Sequence, residues 1–164
     1  NNDKDYLTGA FTRQILDSYM QHKIDASTNQ RTFSAILLDV DDFKSINDCF
    51  GHFEGDLALI NAVQLLRNSV GRNDFVARYG GDEFCVVLES NDPKAVEDTV
   101  LRIDSNLSDF NRRENKPYNL SFSMGYATYH LSIGNSSESF YRIIDKKMYE
   151  KKNYRRVVTS GTQG

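Results

Sequence analysis

Between Thr32 and Val40 the chain is apolar at nearly every step, with Phe33, Ala35, Ile36, Leu37 and Leu38 interrupted only by Ser34 and Asp39. A strand with one wet face alternates apolar and polar residues. A nearly continuous run is instead the pattern of a strand covered on both faces. Whatever else the chain does, it must therefore supply a layer on each side of this strand. An acid, Asp39, closes the run, and Asp41 and Asp42 follow it.

Amphipathic patterns provide those layers. After Asp5-Tyr6-Leu7-Thr8-Gly9, the spacing of Phe11, Ile15 and Tyr19 predicts a helix. A polar loop over 26–31 leads into the apolar strand. Phe43–Cys49 is expected to form a short helix ending near Gly51, and Asp56 to start a longer one with Leu59, Val63, Leu66 and Val70 inward. Gly71 is placed to stop it. Phe75–Ala77 and Cys85–Leu88 read as two strands, with Gly80-Gly81 as the turn between them. Asp92-Pro93 is a helix start, an N-cap acid followed by proline, and Val96, Val100, Ile103, Leu107 and Phe110 continue at helical spacing. Leu120–Tyr129 reads as a strand in which Phe122, Met124 and Tyr126 alternate with Ser121, Ser123 and Gly125. Phe140, Ile143, Ile144 and Met148 mark a last helix, and Val157-Val158 a short final strand.

The order helix, strand, two helices, hairpin, helix, strand, helix predicts an α/β (α+β) sandwich of the split βαβ type, with a mixed central sheet flanked by helices. The first strand would lie inside the sheet. Its carboxyl end is where nucleotide sites are commonly built.

At 164 residues the chain fits a single domain, 1–164, with a core that needs no staples; residues 1–4 and 159–164 are expected to be loose ends. A net charge of -3 offers no basic field for nucleic acid or an anionic membrane. No apolar run approaches the roughly 18 residues of a membrane span. Cys49 and Cys85 could form at most one bridge, and the three histidines show no ligand spacing with them, so neither zinc nor a disulfide framework is expected. A reducing, cytoplasmic setting follows most simply. The start at Asn1 reads as a cut from a longer protein that would carry a sensor or regulatory domain upstream and could itself be membrane-attached.

The chemistry-bearing residues cluster around the acids. Asp82 and Glu83 directly follow Gly80-Gly81, where a plain hairpin needs no acid. Glycines let a backbone approach something bulky, and adjacent carboxylates repel unless a cation or proton separates them. Asp39 and Asp82 would share a hard cation if their strands are neighbours; oxygen ligands with room for phosphate suit Mg²⁺. The alternative is structural: Asp39 caps the following turn and Asp82 is solvated.

Four motifs in order carry a resemblance over nearly the whole chain. Asp5-Tyr6-Leu7-Thr8-Gly9, Asp39-Val40-Asp41-Asp42-Phe43-Lys44-Ser45-Ile46-Asn47-Asp48, Gly51-His52-Phe53-Glu54-Gly55-Asp56 and Arg78-Tyr79-Gly80-Gly81-Asp82-Glu83-Phe84 resemble the successive signatures of the GGDEF family, the diguanylate cyclases. The resemblance implies a nucleotidyl cyclase-like palm that condenses two GTP into cyclic di-GMP as a two-fold dimer. It implies Mg²⁺ (or Mn²⁺) held by Asp39, the Val40 carbonyl, Asp82 and Glu83, with Glu83 alternatively the base for the attacking hydroxyl. Lys44 would neutralise phosphate charge, and Gly80 and Gly81 would face the phosphates. Asn47 and Asp56 would read the guanine edge beside Phe43; a carboxylate suits guanine because N1–H and the N2 amine are donors. Met148–Arg156 is similar to the family's closing segment and places Lys152 and Arg156 on phosphate-binding positions, although Lys151 and Arg155 replace its small residue and glycine. At Lys44 and Asn47 the bland alternative is an exposed helix face; at Lys152 and Arg156 it is a basic helix end.

Two positions refine the expectation. Many members carry an inhibitory R-x-x-D product site, but the register here gives Gly71-Arg72-Asn73-Asp74, which predicts no efficient product inhibition through it. Aspartate at position 56 favours a guanine-only product. A domain that holds GTP without turning it over is the competing class, and retention of Asp39, Lys44, Asn47, Asp56, Asp82 and Glu83 weighs against it.

Overall fold

The computed structural model describes the backbone of residues 2–162 and the side chains of residues 2–153. Four strands, β1 (Ser34–Val40), β2 (Phe75–Arg78), β3 (Glu83–Leu88) and β4 (Phe122–Thr128), form one sheet in the order β2-β3-β1-β4. Five helices cover it: α1 (Arg13–Asp25), α2 (Phe43–Phe50), α3 (His52–Ser69), α4 (Pro93–Glu114) and α5 (Ser137–Thr162). The helix-flanked sandwich is as expected, but the sheet is not mixed. All three strand pairings are antiparallel, and the one parallel contact among the described residues is an isolated bridge between Phe11 and Ala77. The crossover through α2–α3 carries the chain from β1 to β2, which runs the same way with β3 between them, and α4 carries it from β3 to β4, which run the same way with β1 between them, so each gap is filled by an antiparallel strand.

Every residue of β1 is buried, and the two-residue period of a strand divides it between two cores. Ile36, Leu38 and Val40 join Phe84, Val86, Phe122 and Met124 under α3 and α4. Ala35 and Leu37 join Cys85 and Val87 under α1 and α5, with Leu16, Met20, Phe140 and Ile144. This alternation positions the site. Asp39 keeps the parity of Ala35 and Leu37, and Glu83 that of Cys85 and Val87, so both fall on the face covered by α5.

Gly125 shows how tightly α5 is seated. A Cβ there would lie 2.2 Å from the Met148 backbone nitrogen and 2.3 Å from the Ile144 carbonyl oxygen. The helix backbone lies directly on β4 because this strand position has no side chain.

Some boundaries differ from the pattern reading. α1 buries Leu16, Met20 and Ile24, one step round from the expected face; Phe11 and Tyr19 instead each stack on the Phe75 ring of β2, with centroids 4.4 and 4.2 Å apart. α3 starts at His52, about one turn before Asp56, because Gly51 takes a φ of 91° that breaks α2 and lets α3 begin at once. Val157-Val158 is not a strand: α5 continues as helix to Thr162. At the other end, Lys4 forms an isolated antiparallel bridge with Phe11.

Candidate active site

The carboxyl end of β1 and the start of β3 meet here. Asp39 and Glu83 are directly opposite in the antiparallel β1–β3 ladder. Opposed residues point to one face with Cβ atoms about 4.5–5.5 Å apart, and like charges so placed repel. The Val40 amide donates to the Asp82 carbonyl at 3.0 Å, which locks the two acidic segments together. The neighbouring strands that a shared cation required are thus present.

Asp39 is only 6% exposed. Burial pushes its pKa up, Lys152 opposes that shift, and the charges of Asp41 and Asp82 add to it. The Lys152 ammonium donates to Asp39 Oδ2 at 2.8 Å, while Asp39 Oδ1 is buried with no hydrogen-bond partner. Glu83 is likewise raised, by burial first and then by Asp82, Asp39 and Asp145. A buried carboxylate oxygen without a donor, beside acids that raise one another's pKa, is a local environment that favours a cation. No three His, Cys, Asp or Glu side chains among the described residues converge as a closed metal cluster. A hard cation here would take the rest of its shell from backbone carbonyl, water or a ligand phosphate, as Mg²⁺ usually does.

The turn that follows β1 redirects the chain abruptly. Asp42 sits at φ 54° and ψ 33°, a left-handed conformation that among non-glycine residues asparagine and aspartate adopt most readily, and its carbonyl accepts the Ile46 amide to start α2. The turn presents Phe43, half-buried against the α3–α4 core, and Lys44, whose side chain is 93% exposed with only a 3.8 Å ion pair to Asp48. Asn47 packs over the first turns of α3: a Cβ at Gly55 would lie 1.7 Å from Asn47 Oδ1. Asp56, on the next residue, is exposed. Asn47 and Asp56 therefore sit at the α2–α3 junction, which begins just beyond the acids.

The β2–β3 connection is the four-residue segment 79–82, wider than a two-residue hairpin. Tyr79 and Gly80 both donate to the Glu83 carbonyl, at 2.8 and 3.2 Å. Neither Gly80 nor Gly81 has a positive φ; what Gly81 provides is space, with nothing within 4 Å of where a Cβ would be. Arg78 holds this loop in place, donating to the Gly80 and Gly81 carbonyls and to Asp5. That Asp5–Arg78 pairing escaped sequence reasoning. Its only trace was that both residues stand in motifs.

Two further arrangements were also unforeseen. Asp41 accepts hydrogen bonds from Ser121 at 2.7 Å and Ser123 at 2.5 Å, so the neighbour of the Asp39 pair is held by β4. A cavity of about 680 Å³ opens beside Glu83, lined by Arg13, Tyr79, Tyr141, Arg142 and Asp145 among others. Arg13 lies over the Tyr79 ring at 3.7 Å. Arg156 lies in the helical backbone of α5, and its side chain falls outside the described residues.

The family model for the diguanylate cyclase GGDEF domain matches residues 2–157. This chain belongs to the GGDEF family. Curated relatives include a probable diguanylate cyclase, DgcJ of Escherichia coli, 29% identical over 92% of this chain, and diguanylate cyclase A of Treponema denticola, 33% identical over 79%. The chain spans 29% and 35% of those proteins' lengths. Among solved structures, a microbial GGDEF domain described in its interaction with cyclic di-GMP is 30% identical, with a TM-score of 0.76 over 94% of this chain and 95% of that one. The GGDEF domain of TpbB (YfiN) from Pseudomonas aeruginosa gives a TM-score of 0.81 at 26% identity, over 92% and 89%. No helix among the described residues of this GGDEF domain is long and apolar enough to cross a membrane.

Proposed function

We propose that this GGDEF domain is a diguanylate cyclase, condensing two GTP into cyclic di-GMP with release of two pyrophosphates. The observation that carries the reading is the opposition of Asp39 and Glu83 across β1 and β3, with Asp39 Oδ1 buried and unpartnered. Asp39, the Val40 carbonyl, Asp82 and Glu83 would hold Mg²⁺ or Mn²⁺, which when bound supplies charge neutralisation at the reacting phosphate. The Asn47 amide can both donate to and accept from the guanine edge, and the Asp56 carboxylate selects guanine by accepting two donors at once. Lys44, exposed on a flexible stem, reaches the terminal phosphates as a point charge. Gly80 and Gly81 leave the loop backbone open to the phosphates, and Lys152 and Arg156 bring cations from α5. Glu83, its pKa raised by burial and neighbouring acids, is suited to take the proton from the attacking 3′-hydroxyl if it does not serve as a ligand.

Each domain holds one GTP, so turnover joins two domains about a two-fold axis, each presenting its 3′-hydroxyl to the α-phosphate of the other. An upstream sensor or regulatory segment would control that pairing, and the cytoplasm, where GTP is made available, is the proposed location.

The test is incubation of the purified domain with GTP and Mg²⁺ at several protein concentrations, with nucleotides resolved by chromatography. Cyclic di-GMP should form at a rate rising more than linearly with protein and vanish in Asp82→Ala. If none forms even after fusion to a dimerising helix, while GTP still binds, the domain is a GTP receptor and not a cyclase.

A further inference from the structure

The cation at Asp39 in this structure is the protein's own. Lys152 extends from α5, on the sheet face that Asp39 shares, and its ammonium donates to Oδ2 at 2.8 Å with the pair largely withdrawn from water. Parity brings this about: Asp39 falls on the α5 face of β1, and Gly125 lets α5 lie close enough for Lys152 to reach. Yet one lysine does not satisfy the site. Asp39 Oδ1 stays buried and unpartnered, and Glu83, directly opposite, carries a second carboxylate. A monovalent point charge balances one acid where two face each other.

We propose that Lys152 is the resident counterion of Asp39, which a divalent cation displaces from that carboxylate and which is thereby released toward an incoming phosphate. The inference rests on the proposed metal role of Asp39 and adds to it a competition: the free metal must evict Lys152 before it binds. Metal binding without nucleotide is accordingly weak. With nucleotide present it is stronger, because the evicted ammonium gains a phosphate oxygen in place of the carboxylate. The exchange couples occupancy of the metal and phosphate positions through one side chain, so neither ligand binds to full advantage alone.

The test measures Mn²⁺ binding to the nucleotide-free domain by the loss of the free-ion EPR signal. Wild type should bind weakly. Lys152→Met should bind at least about tenfold more tightly, the change expected when one competing ion-pair hydrogen bond is removed. Lys152→Arg, which keeps the charge, should stay weak. A folded Lys152→Met protein that binds Mn²⁺ no better than wild type overturns the proposal. Should that variant fail to fold, the unaltered protein gives the answer through acetylation of Lys152 read by mass spectrometry. The rate should rise several-fold as Mn²⁺ is added without nucleotide, and a rate unaffected at every Mn²⁺ concentration overturns the proposal. These readouts need no turnover: exchange without cyclic di-GMP leaves this inference standing and removes only the cyclase reading.

Discussion

Arg78 Nη1 donates to both carboxylate oxygens of Asp5, at 3.0 and 3.1 Å, across 73 residues of sequence. The same guanidinium uses Nε and Nη2 on the Gly80 and Gly81 carbonyls. One planar fork thus ties the amino-terminal loop to the loop bearing the signature glycines. Lysine offers no such fork. Arg78→Lys should therefore lower stability by about 1–2 kcal/mol and the melting temperature by about 2–8 °C, with weaker GTP binding. Thermal unfolding and a GTP titration of the variant check this; an unchanged melting temperature would show that the fork is ornamental.

Asp5 also sets a pH dependence. Burial opposes its charge, but hydrogen bonds from the Thr8 amide and hydroxyl, with the charge and hydrogen bond of Arg78, outweigh burial and hold its pKa below the ordinary 3.8. The unfolded chain then binds the proton more readily than the native one through that range, so stability increases with pH there. The contribution is full above about pH 5 and is lost as pH falls through the depressed native pKa. In urea unfolding, Asp5→Asn should trail wild type at pH 7 and close the gap on acidification to pH 3. A gap that does not change with pH rules this out.

Gly55 separates stability from binding. Its missing Cβ would lie 1.7 Å from Asn47 Oδ1, so Gly55→Ala must move that amide, whereas alanine within α3 is itself favourable by up to about 1 kcal/mol. The variant should melt no lower than wild type yet bind GTP roughly tenfold or more weakly, the loss of one good hydrogen-bonding position. Normal GTP affinity in Gly55→Ala would dismiss Asn47 from the base site.

Gly125 behaves oppositely, because the atoms it faces are backbone. A methyl 2.2 Å from the Met148 nitrogen cannot be relieved by a side-chain rotation. Gly125→Ala should cost about 1–3 kcal/mol or more and shift α5, which carries Lys152. Chemical denaturation measures the loss; a cost below about 0.5 kcal/mol, the range of ordinary surface changes, would mean the contact is loose.

Asp74 is already engaged. Its carboxylate accepts the Gly71 amide at 2.8 Å and the Glu89 amide at 3.1 Å, closing the α3–β2 loop onto the end of β3. With glycine at 71, no arginine stands beside it in the product-site register. Calorimetry of the nucleotide-free domain with cyclic di-GMP should show weak binding, unaltered by Asp74→Ala. Tight binding abolished by that substitution would restore the product site.

Much of this was legible in the chain because it is local. The continuous apolar run made β1 central, the helical spacing of Val96, Val100, Ile103, Leu107 and Phe110 gave the buried face of α4, and Asp92 caps that helix at Lys94 as its Asp-Pro start predicts. The candidate acids were legible for the same reason: each ends a strand or follows a turn. Strand direction was less so. A mixed sheet was expected, and direction depends on how crossovers pack, which hydrophobic periodicity does not encode. The bounds of α3 and the continuation of α5 through Val157-Val158 likewise turn on chain geometry around Gly51 and on helix propagation, which override local strand preference.

By itself, then, the sequence determined which residues are apolar at which period, hence two layers around a doubly buried strand, and which acids stand at its exit. Only the tertiary structure decided who meets whom. Asp39 faces Glu83, Lys152 closes on Asp39, and Arg78 binds Asp5 because antiparallel register and close helix packing bring together residues dozens of positions apart. Those pairings are long-range, and no short-range pattern specifies their register. They are also what brings a row of acids together as a candidate site.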